Sequence, residues 1–378
     1  SATTWTRSGA CSATAPTNLG SGGALGRYTG GAGGGALIVT AGGAATINGT
    51  LTANGASSND RGGGGSGGSI WITAPTVAGN GAITADGGVP ADRGGGGAGG
   101  RIAFATTGNT FTGVLRARGA TGLADACPAR HGTFNFPTNA PDMDLVVSND
   151  IAFPPGTNWC FRSLTVTNGA RLEIQSLPGT AEESYTNDVA SSIRVVNDIT
   201  IAAGATVAAD GLGYPENQGE GRGGRGSYGD GGGGGYGGRG GLPNTSRGGD
   251  TYGRADQPDR LGSGGGNPQS DQQGGFGGGA VLLDAGGRIT VEGNITAHGG
   301  WGNYRSGGGS GGSIWLKAAE ITGGGLIAAD GGKGIADAAI VRGSGGGGGR
   351  IALDTPSNLF GGIIRAKGHP SGVHPGHH

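Results

Sequence analysis

The chain has 378 residues and a formal net charge of −1, 13% of its residues are charged, and 96 are glycine. The balanced charge gives no electrostatic footprint for nucleic acid. No apolar run approaches the ~20 residues that a membrane-spanning helix needs. The glycines lie in runs between short segments rich in Val, Ile, Leu and Thr, without helical periodicity. This pattern predicts an ordered all-β repeat with almost no helix.

The repeat becomes visible after an irregular N-terminal segment, residues 1–32. Residues 33–41 and 46–55 read as two strands, and a glycine-rich excursion follows them. The pattern restarts at Ser69 and again at Arg101, a spacing of 32–34 residues. Periods of this length mark stacked repeat architectures, in which each unit buries its apolar face against the next.

An internal duplication organises the whole chain. Residues 277–299 align with residues 33–55 without a gap and are identical at 12 of 23 positions. The sequence therefore predicts a first block of three units, a second block of three units, connecting β coils and a long Gly/Arg/Tyr-rich loop. These segments are 33–137, 277–378, 138–211 and 212–276, respectively. The loop is long enough to be either functional or partly disordered.

The strands alternate between apolar and polar residues and end in alanine, a polar residue and glycine. In one strand Ile47, Leu51 and Ala53 share a face, which predicts one buried and one solvated side. The polar residue and glycine predict a turn in which glycine supplies a positive φ. We expect a parallel β-helix, right-handed by the general crossover preference.

The glycine runs fall at the same place in successive units. They predict either a packed, polyglycine II-like layer in which neighbouring runs pair their backbone groups, or flexible surface loops. Rapid hydrogen exchange across the runs would exclude the packed layer.

Two tryptophans, Trp71 and Trp315, follow equivalent glycine runs. If Ile70 and Ile72 point inward, Trp71 faces outward, and the same holds for Trp315. Outward aromatic side chains are candidate stacking platforms for sugar rings. The alternative is that each tryptophan is covered by its glycine run.

Basic pairs follow the tryptophans in the repeat: Arg116 with Arg118, and Arg365 with Lys367. They are candidates for gripping an acidic polysaccharide, although such pairs are more often a solvated face.

Three cysteines are present, and Cys127 and Cys160 lie 33 residues apart. Since this separation is close to the repeat length, stacked coils could bring the pair within disulfide range. The sequence alone does not fix the connectivity.

Catalytic and metal-binding signatures are missing from the sequence. Asp86, Asp210 and Asp330 carry the oxygen ligands that calcium prefers, but each has a ready turn role in a different unit. No nucleophile–base motif, zinc motif or phosphate-binding loop is present. We expect neither an enzyme nor a resident cofactor or metal.

The repeated joins GGGxSGGSIW and GGGGxGGRIA, with strands ending in ADGG or ANGA, resemble those of glycine-rich parallel β-helix proteins on bacterial surfaces. Autotransporter passengers and filamentous adhesins belong to this group. The resemblance covers residues 33–119 and 277–368 and implies an extracellular or cell-surface location. A start at Ser1 without methionine fits a processed, secreted protein. The sequence lacks the membrane-embedded translocator of that group.

Our leading expectation is a secreted structural subunit that assembles head-to-tail into a fibre or surface layer. The last unit stops where its counterpart in the first block continues through Phe134 into more strands, so another copy could dock there. The alternative is a carbohydrate-binding adhesin or a β-helix protein active on polysaccharide. Ice binding is disfavoured because no threonine ladder accompanies the runs.

Overall fold

The computed structural model describes residues 15–25, 29–59, 62–90, 94–111, 113–120, 129, 132–135, 139–148, 150–176, 178, 190–226, 230–243, 246–267, 273–303, 305–336, 343–370 and 372–373. The chain forms two compact units. Unit 1 comprises Ser1–Met143 and Asn149–Phe153, and unit 2 comprises Asp144–Ser148 and Pro154–His378. Within the described residues all regular secondary structure is β, with no helix.

The strands are short and follow one another at the repeat spacing. Those up to residue 153 are β1 (Ala36–Thr40), β2 (Ala45–Thr46), β3 (Thr50–Thr52), β4 (Ser69–Thr73), β5 (Thr76–Gly79), β6 (Ala82–Thr84), β7 (Arg101–Ala105), β8 (Gly108–Phe111), β9 (Val114–Arg116), β10 (Thr133–Asn135), β11 (Asn139–Val147) and β12 (Ile151–Phe153).

The remaining strands all belong to unit 2. They are β13 (Asn158–Val166), β14 (Arg171–Ile174), β15 (Ser192–Val195), β16 (Ile199–Ile201), β17 (Thr206–Ala208), β18 (Ala280–Ala285), β19 (Arg288–Val291), β20 (Asn294–Thr296), β21 (Ser313–Lys317), β22 (Glu320–Gly323), β23 (Leu326–Ala328), β24 (Ile335–Ala336), β25 (Arg350–Asp354), β26 (Ser357–Phe360), β27 (Ile363–Arg365) and β28 (Gly372–Val373).

Unit 1 is a parallel β-solenoid. Three successive coils each contribute one strand to each of three parallel sheets, ordered β1-β4-β7, β2-β5-β8 and β3-β6-β9. The register is unbroken, so Ile70 lies between Leu37 and Ile102. The first sheet continues through β10, which pairs with β7, and β12. The predicted parallel β-helix is confirmed for this unit.

Unit 2 has the same architecture with more coils. The long strand β13 pairs through its first half with β15 and through its second half with β16. Parallel ladders then run β15-β18-β21-β25, β16-β19-β22-β26 and β17-β20-β23-β27. Inward rows of apolar side chains form the core, and Ile193, Leu283 and Leu316 make one such row of fully buried residues.

Apart from the coil of β13 and β14, the coils described above have three strands rather than the two that the sequence predicts. The predicted strand 46–55 is divided into β2 and β3, and the next coil breaks after Gly79, which has a φ of 109°. Gly323 occupies the equivalent place in unit 2 with a φ of 117°. In these two coils such φ values favour glycine and turn the chain. In the first coil the equivalent position is Ile47, which has no positive φ, so the run is divided there without one.

The glycine runs are hydrogen-bonded to one another. Gly31 N donates to Gly63 O at 2.9 Å, and Gly64 N donates to Gly95 O at 3.0 Å, so the middle run of unit 1 is paired on both sides. In unit 2, Gly308 N donates to Ser344 O at 2.9 Å. These bonds are what the packed alternative predicts, and the polyglycine II-like conformation itself stays a prediction.

The Gly/Arg/Tyr-rich segment 212–276 joins this layer. In its described part, residues 230–236 are buried. Gly234 N donates to Gly308 O at 2.9 Å, and Gly234 O accepts from Gly347 N at 2.8 Å. The two predicted alternatives for the segment, a functional loop or a partly disordered one, stay predictions. Its described part adds further glycine runs to the layer, because a backbone without side chains can pair with neighbours on several sides.

The glycine that follows each corner was predicted to supply a positive φ, and this is wrong for most corners. Gly211, with a φ of 62°, fits the prediction. At Gly87 and Gly331 the reason for glycine is space, since a Cβ would lie 1.9 Å from Gly97 O and 2.1 Å from Gly346 O, respectively. Close backbone approach, rather than turn conformation, requires these glycines.

Candidate functional site

Trp315 in unit 2 follows a glycine run whose position is fixed by close backbone packing. A Cβ on Gly312 would lie 1.9 Å from Gly279 O, so only glycine brings the run this close to its neighbour. Ser313 follows and is buried; its Oγ donates to Arg260 O at 2.5 Å and shares a 2.7 Å hydrogen bond with the Tyr236 hydroxyl. Ile314 and Leu316 are fully buried, which leaves Trp315 half-buried on the outward face.

Two outward rows of side chains cross the strands beside Trp315. The register places Trp315 next to Leu282, and Leu282 next to Ser192. The second row alternates in charge and consists of Arg194, Asp284 and Lys317.

Together these rows line a surface cavity of about 390 Å³, hereafter the tryptophan groove. Its lining residues are Asn158, Ser192, Arg194, Asp259, Leu282, Leu283, Asp284, Trp315 and Lys317. Arg194 Nε lies 3.8 Å from Asp284 Oδ2. Asp259 belongs to segment 212–276, so that segment supplies a carboxylate to a face built otherwise by strands.

Polar groups define one end of the groove. Ser192 Oγ donates to Asn158 Oδ1 at 2.7 Å, which orients the amide. The indole Nε1 of Trp315 is buried and has no hydrogen-bond partner in the structure. An unpaired buried donor is costly, so a ligand or water acceptor at this atom would stabilise the site.

Trp71 occupies the equivalent join in unit 1 with different neighbours. It is also half-buried between buried Ile70 and Ile72, and its Nε1 also has no partner. The register places it between Ile38 and Ala103. The next outward row in unit 1 consists of Thr40, Thr73 and Ala105. The charged row of the tryptophan groove has no counterpart there.

The basic pairs predicted to grip an acidic polysaccharide are largely engaged in the scaffold. Arg116 Nε donates to Asp86 Oδ2 at 2.7 Å, while the Arg118 backbone N donates to Asp86 Oδ1 at 2.9 Å. The Arg118 side chain lies 3.1 Å from Asp150. In unit 2, the Arg365 side chain and the Lys367 backbone N make the equivalent bonds to Asp330 at 2.6 and 2.9 Å.

We call these contacts the corner ladder, in which a polar side chain at one corner accepts the backbone N–H of the equivalent residue one coil further on. Asn54 Oδ1 accepts from Asp86 N at 2.7 Å, and Asp210 Oδ1 accepts from His298 N at 2.7 Å. His298 Nδ1 accepts from Asp330 N at 3.1 Å. The aspartates were predicted to stabilise turns, and they do so by hydrogen-bonding to the corner of the next coil.

The cysteine prediction is only partly within the described residues. Cys160 is half-buried, and Cys127 lies outside the described residues. The pairing stays a prediction.

Both ends of the described ladders expose apolar side chains. Strand β1 has one described neighbour, β4, and its inward residues Leu37 and Val39 are half-buried although their register partners on β4 are fully buried. At the last coil of unit 2, Ile364 is 46% exposed although its register partner Ile327 is fully buried. We call these two places the β1 edge and the β27 edge; the latter comprises β25, β26 and β27.

The segments that contact the glycine runs before Trp71 and Trp315 were not predicted from the sequence. Ser66 Oγ donates to Ser21 O at 3.3 Å, and Ser310 Oγ donates to Ser263 O at 3.4 Å. Ser21 and Ser263 lie in identical LGSGG segments, 19–23 and 261–265. This repeated pentapeptide was the signal that would have found them.

Comparison with known proteins gives no match: no family model, no curated protein and no solved structure is similar to the chain. In the part of the chain that the structure describes, no cluster of three or more His, Cys, Asp or Glu side chains could hold a metal ion. Across the same residues, no helix has the length and apolar character to cross a membrane.

Proposed function

We propose that this protein is a secreted structural subunit that assembles head-to-tail through its solenoid edges. The observation that carries the proposal is the exposed β27 edge, where the core row that includes Ile327 ends in half-exposed Ile364. An open edge of parallel strands presents unpaired backbone groups and apolar side chains, which favour pairing with another chain.

Unit 1 supports the choice of partner. Residues Arg101–Ala103, which are followed by strands in unit 1, pair in parallel with Thr133–Asn135. The equivalent residues Arg350–Ala352 pair with β21 on one side and with no other described strand. The strand in unit 1 thus pairs with a further parallel coil, whereas the equivalent strand in unit 2 has no described strand on that side.

The occupant that we propose is the β1 edge of a second copy. Strands β1, β2 and β3 would continue the ladders that end at β25, β26 and β27, because β1 and β25 each follow a glycine run as the first strand of their coil. The contact is heterologous, with different surfaces on the two copies, and heterologous contacts that do not close build filaments. The resemblance to bacterial surface β-helix proteins agrees with an extracellular assembly.

Negative-stain electron microscopy of the purified full chain at high concentration tests the proposal. We expect unbranched filaments of constant width. Ile364→Lys should abolish them, because it places a charge in the row that must be buried. Leu359→Lys is the matched control: Leu359 is 63% exposed in the same coil, but its register partner Thr322 lies on the outward face. Uniform monomers, closed dimers or filaments that persist in Ile364→Lys would contradict the proposal.

A further inference from the structure

We propose that the tryptophan groove of unit 2 binds a neutral oligosaccharide. The inference stands on the groove alone and does not depend on the assembly proposed above. It starts from the shape: a cavity of about 390 Å³ lies within the ~300–1,000 Å³ range of small-molecule sites.

The floor of the groove suits a sugar ring. Trp315 and Leu282 are register partners on adjacent strands, so their outward side chains lie about 4.8 Å apart along the sheet. A pyranose buries its C–H face against such an apolar surface, and the indole offers the largest flat one among the side chains. Asn158 and Ser192 extend the same row, so four strands span about 14 Å, which matches a short oligosaccharide.

The walls suit hydroxyl groups rather than a net charge. Arg194 and Lys317 supply N–H donors, whereas Asp284 and Asp259 supply carboxylate acceptors. A sugar hydroxyl both donates and accepts, so it can bridge neighbours of opposite sign. Two cations and two anions leave no excess positive field to favour a polyanion. The groove therefore selects a neutral sugar, in contrast to the acidic polysaccharide predicted from the basic pairs.

The strand pairing argues against a peptide ligand. Extended peptides gain affinity by adding a strand to an exposed sheet edge. Trp315 lies on β21, which already pairs with β18 and β25. The backbone groups under the groove are thus used within the sheet, and recognition must come from side chains.

Isothermal titration calorimetry of the full chain tests the proposal, with cellohexaose, laminarihexaose, maltohexaose and mannohexaose as neutral probes and a galacturonate hexamer as the anionic probe. We expect at least one neutral probe to bind and the galacturonate hexamer to bind more weakly. Trp315→Ala should weaken binding about tenfold or more, since an aromatic contact contributes about that factor. Trp71→Ala is the matched control and should leave the affinity within about twofold, because Trp71 has the same join without the charged row.

Two further variants protect the result from misfolding. Trp315→Phe keeps an aromatic ring and should retain part of the affinity, and Asp284→Asn should weaken binding while far-UV circular dichroism stays unchanged. Absence of binding to every neutral probe, preferential binding of the galacturonate hexamer, or equal losses in Trp315→Ala and Trp71→Ala would each overturn the proposal.

Discussion

The same five residues occur at 19–23 in unit 1 and at 261–265 in unit 2. The two segments make the same backbone contacts, but their leucine side chains are buried to very different extents. Gly20 N donates to Gly34 O at 2.8 Å, and Gly262 N donates to Gly278 O at the same distance. Yet Leu19 is 72% exposed while Leu261 is 0% exposed. Identical local sequence therefore fixes the backbone pairing and leaves the burial of the side chain undecided.

The difference comes from an additional layer in unit 2. Tyr214 and Ala280 pack with Leu261 in a buried cluster. Tyr236 and Tyr252 pack with ring centroids 4.8 Å apart, and the guanidinium of Arg350 lies 5.3 Å from the centroid of the Tyr236 ring. All these residues except Ala280 and Arg350 come from segment 212–276. The glycine layer is common to both units, and the aromatic cover belongs to unit 2.

The largest expected effect tests what the units share. Gly312→Ala should lower the free energy of unfolding by roughly 3 kcal/mol, because overpacking against a backbone carbonyl cannot be relieved by a side-chain rotation. Gly68→Ala should cost a similar amount, since its Cβ would lie 1.8 Å from Gly35 O. Urea denaturation monitored by circular dichroism gives the comparison.

Gly361→Ala is the matched control for these substitutions, because nothing lies within 4 Å of its Cβ position. It should change stability by less than about 0.5 kcal/mol. If Gly312→Ala lowers the free energy of unfolding as little as Gly361→Ala does, the inferred close packing of the glycine layer is wrong.

The second prediction tests what only unit 2 has. Burial raises the pKa of Tyr236 to about 12. A tyrosine in the unfolded chain ionises near pH 10, so the folded state holds this proton more tightly. The resulting stability is fully present below pH 10 and is lost as pH rises from about 10 to 12, by roughly 1–3 kcal/mol.

Tyr236→Phe isolates this contribution. At pH 8 the variant should be about 1 kcal/mol less stable than the parent, because the hydrogen bond to Ser313 is lost. At pH 11.5 the difference should shrink or reverse, since phenylalanine does not ionise. Urea denaturation at both pH values measures it. A constant difference would show that Tyr236 ionises as freely in the folded protein as in the unfolded chain.

The smallest effect concerns the corner ladder, which again both units share. Asp330→Asn keeps an oxygen acceptor for the Lys367 backbone N–H but removes the charge facing Arg365, so we expect a loss of about 0.5–1 kcal/mol. Asp86→Asn should give the same loss in unit 1, and 1 M salt should reduce both losses by screening. Losses that do not respond to salt would assign the contribution to hydrogen bonding rather than to charge.

The sequence predicted the part of the fold that repeats. Alternating segments such as the one containing Ile47 and Leu51, restarting every 32–34 residues, indicated parallel coils with one buried face. Ile70 and Ile72, expected to point inward, are fully buried in unit 1. The strand count per coil was wrong because the alternating run continues across the bend of the coil, so the bend has no separate signal in the sequence.

The candidate site was predicted only in part. Trp315 could be found from its repeated join, since one residue between two buried neighbours must face outward. Leu282 lies 33 residues before it, one repeat period, but Arg194 and Asp259 could not be found, because they lie outside that period and meet it through register and through segment 212–276. The sequence left the basic pairs open between a ligand contact and a solvated face, because their partners Asp86 and Asp330 lie one coil away.

The sequence by itself determined the β class, the period and the glycine joins, because these depend on local alternation and on residues that lack a side chain. The tertiary structure decided which glycines face a carbonyl, which corners form ladders, and that Trp315 rather than Trp71 adjoins a charged row. Stacking sets these features: each coil places residues about 32 positions apart side by side, and contact energies between them depend on register and cover. The glycine run before Trp315 is thus specified locally, whereas the groove beside it exists only in the stacked coils.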